Sequence, residues 1–287
     1  MTQVFGIFSS TMTTFHHFLN LQKTEISVYS QYYTSPLYHI FLLNGKGKIC
    51  VDEVPYSFDG HCALFLTPYQ KVKINGTTIV PIEKLAFHGD FYCIEYHKQE
   101  VACNGLLFNN IYQQPFIELP DNEIPAIFRK IEQETTQQIP HTEPILKTYL
   151  QLILAIASRI KRLTQESAVP EHALPLATFR TLLEENFISQ RTPMFYAHAL
   201  AMTPNQFTKQ VTKYYRKSPS KLIQERVILE AKKLLHLSHK SSKEIASLMN
   251  FDDQHYFSRY FKKYTGVSPT EFRKQVGISI MADLSIS

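Results

Sequence analysis

Cysteine is scarce in this chain, and the four present, Cys50, Cys62, Cys93 and Cys103, stand 12, 31 and 10 positions apart. No CxxC pair or zinc-finger spacing arises from them, so reduced core thiols are expected rather than a cysteine metal site. There is no H-x-H and no suitably spaced Glu either. His39, His61, His88 and His97 are scattered along the sequence, which argues against metal catalysis; each reads as a strand-surface or hydrogen-bonded core residue. No catalytic residue, metal or cofactor is assigned. Long apolar runs are missing too: the stretch 149–160 carries Gln151, Ser158 and Arg159 and falls short of the roughly 20 apolar residues that a bilayer requires. The opening MTQVFGIFSSTMTTF has no charged start and no long apolar core, which speaks against a signal peptide. A cytoplasmic protein with no membrane partner is expected.

Charge is present, and it is unevenly placed. Residues 1–175 hold 13 Lys and Arg against 16 Asp and Glu, whereas residues 176–287 hold 17 against 9. With 287 residues, two compact domains are expected, and the basic one points to an anionic partner, a nucleic acid or an anionic membrane surface.

From about Glu25 to Val101, short runs rich in Tyr, Phe, Ile and Val alternate with turn signals. The strand-like pieces are 27–33, 37–43, 48–54, 62–68, 71–76, 78–82 and 90–97, with turns expected at NGKGK, FDGH, TPYQ, INGTT and FHGD. Their close spacing fits a small sandwich or barrel. Helices follow over 124–135, where Ile124, Ile127, Phe128 and Ile131 share a face, and over 144–163, a markedly apolar one with Leu146, Leu150, Ile153, Leu154 and Ala157 at helical spacing. LTQESAVPEHALP carries two prolines without sustained periodicity and reads as the linker. Beyond it the spacing predicts helices over 176–187, 193–201, 204–215, 220–237, 243–249, 253–264 and 270–275. Ser242 and Ser268 are placed to start two of them.

The most informative stretch is FDDQHYFSRYFKKYTGVSPTEFR, residues 251–273. As a helix it sets Phe257, Phe261 and Tyr264 on one stripe and leaves Gln254, His255, Ser258, Arg259, Lys262 and Lys263 around the rest, with no carboxylate after Asp253 to pair them. The same pattern occurs earlier. TPNQFTKQVTKYYRKSP matches DQHYFSRYFKKYTGVSP at a shift of 50, aligning Phe207 with Phe257, Lys209 with Arg259, Val211 with Phe261, Lys213 with Lys263 and Ser218-Pro219 with Ser268-Pro269. Upstream, at a shift of 49, Ala197 falls on Ala246 and Met202 on Phe251. Each copy is a short helix, a tight turn and a second helix. In the first copy Asn205, Thr208, Lys209 and Thr212 share the face away from Phe207. Such a face fits the major groove: Arg259 suits guanine, and Gln254 or Asn205 suits adenine. Lys213, Lys217, Lys262 and Lys263 suit phosphates, the alternative for each being a solvated helix surface.

These residues resemble the AraC/XylS-type transcription regulators, most specifically in KEIASLMNFDDQHYFSRYFKKYTGVSPTEFRK. The resemblance implies a sequence-specific regulator of transcription whose two helix-turn-helix units, joined by the helix over 220–237, enter successive major-groove segments of double-stranded DNA. By position it assigns base reading to Asn205, Thr208, Lys209, Gln254, His255 and Arg259. It favours an activator over a repressor and implies RNA polymerase as a further partner. The sequence departs from the family pattern where a turn glycine is common: Asn250 stands there in the second unit and Ala201 in the first. The glycine that ends the recognition helix is kept as Gly266 and replaced by Arg216 in the first copy.

Residues 38–74 resemble, more loosely, the cupin-like arm domain of such regulators, although Val72 stands where a histidine is common. The resulting fold class is two domains: a mainly β, cupin-like barrel with helices, and an all-α part with two helix-turn-helix units. The expected layout is an effector and dimerisation domain over 1–163 with helices at 124–163, a linker over 164–175, the DNA-binding domain over 176–276 and a tail over 277–287. A small-molecule effector, if received, would be mainly apolar, against the rings of Tyr29, Tyr32, Tyr33, Tyr38, Phe41, Phe65 and Tyr69. Most of these rings read equally as barrel filling. The helix over 144–163, together with that over 124–135, resembles the helices by which family members form homodimers, and it could equally pack on its own barrel. Two other readings stay open: a cupin-type metal enzyme fused to a DNA-binding module, and an arm domain that only dimerises or binds a protein.

Overall fold

The computed structural model describes residues 19–76, 82–92, 106–137, 142–166 and 174–279. Its N-terminal part is built on β1 (Leu19–Thr24), β2 (Tyr38–Val51), β3 (Val54–Leu66), β4 (Val72–Gly76), β5 (Ile82–Phe87) and β6 (Phe116–Glu118). They form one antiparallel sheet in the order β1-β5-β2-β3-β6, with β4 also on β2. Among the described residues no ladder joins β1 to β6.

Glycines that looked like turns prove to be bends. β2 pairs β5 through Tyr38–Leu42 and β4 through Gly47–Val51, on the same side. Between these ladders Gly45, at φ 126°, lies opposite Gly60 of β3, at φ 93°. NGKGK and FDGH therefore bend a long two-stranded ribbon where reversals were expected. The reversal falls at Asp52 and Glu53, with φ of 47° and 72°, the pair of positive angles that a two-residue hairpin matching the strand twist demands. A Cβ at Gly47 would lie 2.5 Å from the Asn75 carbonyl oxygen, so the close approach of β4 requires glycine there. The strand expected over 27–33 is instead a 3₁₀ turn, Ile26–Tyr29, followed by an isolated bridge from Tyr33 to Val72. β5, read only at its first residue, carries Glu83 and a buried Lys84 that mask its pattern. The strand expected over 78–82 lies mostly, and that over 90–97 largely, outside the described residues.

Alternation sends Ile40, Leu42, Ala63, Phe65, Leu85 and Phe87 to one face of the sheet and Phe41, Leu43, Leu64, Leu66, Val72 and Ile74 to the other. Burial on both faces explains why these strands read as near-continuous apolar runs. α1 (Glu123–Gln137) and α2 (Thr142–Glu166) cover the first face with Ile124, Phe128, Ile131, Leu150, Ile153 and Leu154. The apolar stripe of α2 thus packs on its own sheet. The buried Lys161 ammonium pins α2 to β6, donating to the carbonyls of Gln114 at 2.6 Å and Phe116 at 3.1 Å, and burial lowers it to about 8. The rings expected around an effector divide among places: Tyr29 and Phe41 on one sheet face, Tyr38 and Phe65 on the other, Tyr69 against the C-terminal helices, Tyr32 exposed.

After 167–173, which lie outside the described residues and take most of the expected linker, the chain is helical: α3 (Leu174–Asn186), α4 (Pro193–Ala199), α5 (Pro204–Tyr215), α6 (Pro219–Leu237), α7 (Ser242–Leu248), α8 (Gln254–Thr265) and α9 (Pro269–Val276). Phe179, Phe207, Val211, Leu222, Val227, Ile245, Phe257, Phe261 and Phe272 meet in one core, and Tyr69 and Ile111 of the N-terminal part belong to it. Full burial of such side chains stabilises by about 1.5–3 kcal/mol each.

Candidate nucleic-acid interface

The repeat seen in the sequence is a repeat in space. α4 and α5 form one helix-turn-helix unit, α7 and α8 the other, and α6 joins them. Each second helix begins on a side-chain cap: Thr203 Oγ1 accepts from the Gln206 amide, and the Asp253 carboxylate accepts from His255 at 2.6 Å and Tyr256 at 2.8 Å. Those amide bonds, that of Tyr256 foremost, hold the Asp253 carboxyl below its usual range. Caps of this kind contribute about 1 kcal/mol and fix where the helix starts. Ser218 and Ser268 cap α6 and α9 in matching fashion. The cap of α7 is Ser241, one residue before the expected Ser242, because Glu244 completes a reciprocal pair of bonds with it.

The turns match bond for bond. Met202 N–H donates to Ala197 O and Phe251 N–H to Ala246 O, both at 2.9 Å. The residue before each, Ala201 at φ 54° and Asn250 at φ 53°, is left-handed, as a helix end of this type requires. Arg216, at φ 57°, and Gly266, at φ 86°, take the equivalent place after α5 and α8. All three departures from glycine, Ala201, Asn250 and Arg216, therefore hold the left-handed backbone that glycine would supply.

Phe207 and Val211 of α5, and Phe257 and Phe261 of α8, are fully buried. Tyr264, expected on that stripe, is only partly buried and packs on Tyr260, with ring centres 4.9 Å apart. On the outward faces Asn205, Thr208 and Lys209 of α5, and Gln254, His255 and Arg259 of α8, are all exposed, as are Lys213, Lys262 and Lys263. Among the described residues no ion pair engages these lysines or Arg259. Exposed donors thus stand along the first turns of the two helices and lysines in their last turns, none of the lysines held in an ion pair, which suits acceptors on base edges and phosphates.

Lys217 is a correction. It was expected on the phosphate face, yet its ammonium is buried between the two parts of the chain, donating to the Ile111 carbonyl at 2.9 Å and pairing with Glu225 at 2.7 Å. A tertiary partner 106 positions away has withdrawn it.

Sequence reasoning also missed the contact between the two parts. Tyr69 donates from its hydroxyl to Gln275 and its ring meets Phe272. Lys232 donates to the Pro68 carbonyl at 2.7 Å, and burial lowers its ammonium to about 8. Beside them lies a cleft of about 290 Å³ lined from one side by Asp52, Tyr56 and Lys71 and from the other by Lys221, Glu225 and Lys232. Lys263 and Tyr264 of α8 also line it. No local periodicity announces such a site, since its walls come from segments far apart in sequence. No group of three or more His, Cys, Asp or Glu able to hold a metal is found among the described residues, and no helix among them is long and apolar enough to cross a membrane.

A family described as a helix-turn-helix domain matches residues 196–275, nearly all of both units. The raffinose operon transcriptional regulatory protein RafR of Pediococcus pentosaceus is 32% identical over 96 residues, 33% of this chain and 35% of that protein. The chain thus matches about a third of the length of this curated relative. Among solved structures, the C-terminal domain of AraT, a response regulator from Geobacillus stearothermophilus, is 28% identical with a TM-score of 0.36, over 39% of this chain and 93% of that one. Apo ToxT K231A from Vibrio cholerae is 14% identical with a TM-score of 0.43, over 90% of this chain and 97% of that one. On the matched segment and its duplicated geometry, residues 196–275 of this chain are a helix-turn-helix domain.

Proposed function

We propose that this chain is a sequence-specific DNA-binding transcription regulator. The observation that carries the reading is the pair of recognition helices α5 and α8, each capped, turned and anchored alike, with exposed polar and cationic outer faces. Asn205, Thr208 and Lys209 read bases from the first unit; Gln254, His255 and Arg259 read them from the second. Lys213, Lys262 and Lys263 hold phosphates and set affinity and register. The smaller polar readers of the first unit discriminate less than Arg259, whose guanidinium can grip guanine with two bonds.

Control of this activity runs through the contact between the two parts. An occupant of the cleft would touch Lys263 and Tyr264 on the flank of α8, so a small-molecule effector there would act on the helix that reads DNA. Homodimerisation uses the outer side of α2, where Ile145 and Leu152 remain exposed, seven positions apart on one face. Two DNA-binding parts per particle make the second engagement a local event. Activation, with RNA polymerase as the partner, is the mode the family resemblance favours.

The test is fluorescence anisotropy of the purified chain against duplex DNA across a salt series. Binding that weakens with a log-log slope of several units is the expected result, since each neutralised phosphate contributes about 0.9. A chain that shows no binding at low salt would end this reading.

A further inference from the structure

α6 joins the two units and both pack on it in the shared core, and a side chain that reaches from the approach to one unit onto the other adds to their relative setting. Arg191 does so. It lies in the segment between α3 and α4, just ahead of the first unit. That segment is tied to α4 by the hydroxyl of the fully buried Tyr196, which donates to the Gln190 carbonyl at 2.7 Å. From this anchored position the Arg191 side chain crosses to the second unit, 58 positions on. Its guanidinium carbon stands 3.9 Å from the centre of the Phe251 ring. Its Nη2 donates to the carbonyls of Met249 and Asn250, the latter at 3.3 Å. These carbonyls end α7, where the last acceptors of a helix lack partners within it and favour a cation. Nε is buried with no hydrogen-bond partner, so the stem of this half-buried side chain is packed against protein.

We infer that Arg191 is a positioning residue that sets the register between α5 and α8, and so fixes the spacing at which two half-motifs on one duplex are read together. The inference rests on the DNA-binding reading above. A planar guanidinium that lies over a ring while its Nη2 donates to two carbonyls is oriented in a way that a lysine ammonium is not. Both contacts fall on the turn that aims α8, and Asn250 is the left-handed residue of that turn.

The experiment uses the full chain as wild type, Arg191→Ala and Arg191→Lys, with duplexes carrying the two selected half-motifs at the selected spacing or with one base pair inserted or removed. Each change displaces one half-motif by about 3.4 Å along the axis. The wild type is expected to lose about tenfold in affinity, the scale of one mismatched pair. In Arg191→Ala that spacing penalty should shrink at least severalfold while base preferences inside each half-motif persist, with Arg191→Lys between the two. A spacing penalty equal to wild type, whatever the absolute affinity, overturns the inference. Should Arg191→Ala lose its helical signal altogether, the Arg191→Lys penalty decides in the same sense. A second arm needs no DNA: amide hydrogen exchange across 250–252 should quicken in either variant while α5 keeps its protection, and unchanged exchange there overturns the inference too. A wild type that binds no DNA refutes the regulator reading, and the exchange arm then judges the strut alone.

Discussion

Ala201 occupies the left-handed region at φ 54° in the turn between α4 and α5. That conformation sets a Cβ too close to the following carbonyl, at a cost of about 1–2 kcal/mol to a residue that has one. Replacing Ala201 with Gly removes the clash. Glycine also gains freedom in the unfolded chain, which takes back about 0.4–1 kcal/mol. Because Ala201 is exposed, no packing is lost, and the net gain should be about 1 kcal/mol. For a helical region near 100 residues this corresponds to a rise of roughly 4 °C in the melting temperature. Scanning calorimetry of the full chain, following the transition in which α5 and α8 melt, is the assay. The matching change in the second unit, Asn250→Ala, should move the same transition down by a similar amount, since Asn tolerates this region better than Ala does. If Ala201→Gly lowers the transition, the left-handed turn is wrongly placed and the structural equivalence of the two units fails with it.

Phe257→Ala should destabilise the second unit by about 3–5 kcal/mol, because a fully buried ring leaves a cavity behind; a variant with unchanged melting would show the wrong face to be buried. Lys262→Ala should flatten the salt dependence of DNA binding by about one unit of log-log slope. Lys217→Met should leave that slope alone and lower the melting temperature, since Glu225 loses its buried partner; a slope change for Lys217→Met would return it to the phosphate face. His39 is buried with both ring nitrogens unpartnered, and burial, helped by Lys84, lowers it to about 3. Its folded value lies below the unfolded one, so stability is full above roughly pH 6.5 and falls below it, by about 2 kcal/mol at pH 5. His39→Leu should remove that fall in calorimetry between pH 7.5 and 5; an equal fall in the variant would assign it to other groups.

What was legible in the sequence follows from how local each feature is. Cap, amphipathic stripe and breaker all lie within one or two turns of chain, so α5 was placed at both ends and α8 to within one residue. The duplication helped, because Ser218-Pro219 and Ser268-Pro269 mark equivalent starts. In the sheet the same glycine signal has two meanings. Gly45 and Gly60 bend strands that continue, and only the cross-strand register, which depends on a partner more than ten residues away, separates a bend from a reversal. Lys84 hid β5 because a buried lysine breaks the alternation. Lys217 was misplaced for a related reason: nothing near it in sequence forecasts the Ile111 carbonyl that holds it. The apolar stripe of α2 was visible, but its partner, the chain's own sheet, was not.

Whether two helices read one duplex side by side is decided by selecting bound fragments from a random DNA library with the purified chain at low ionic strength. Two half-motifs about one helical turn apart are expected, and Arg259→Ala should erase the preference at one base within the half-motif read by α8, a loss of about 1–3 kcal/mol on the selected site. Selection that returns no enriched motif, or a single motif unchanged by Arg259→Ala, would contradict the assignment.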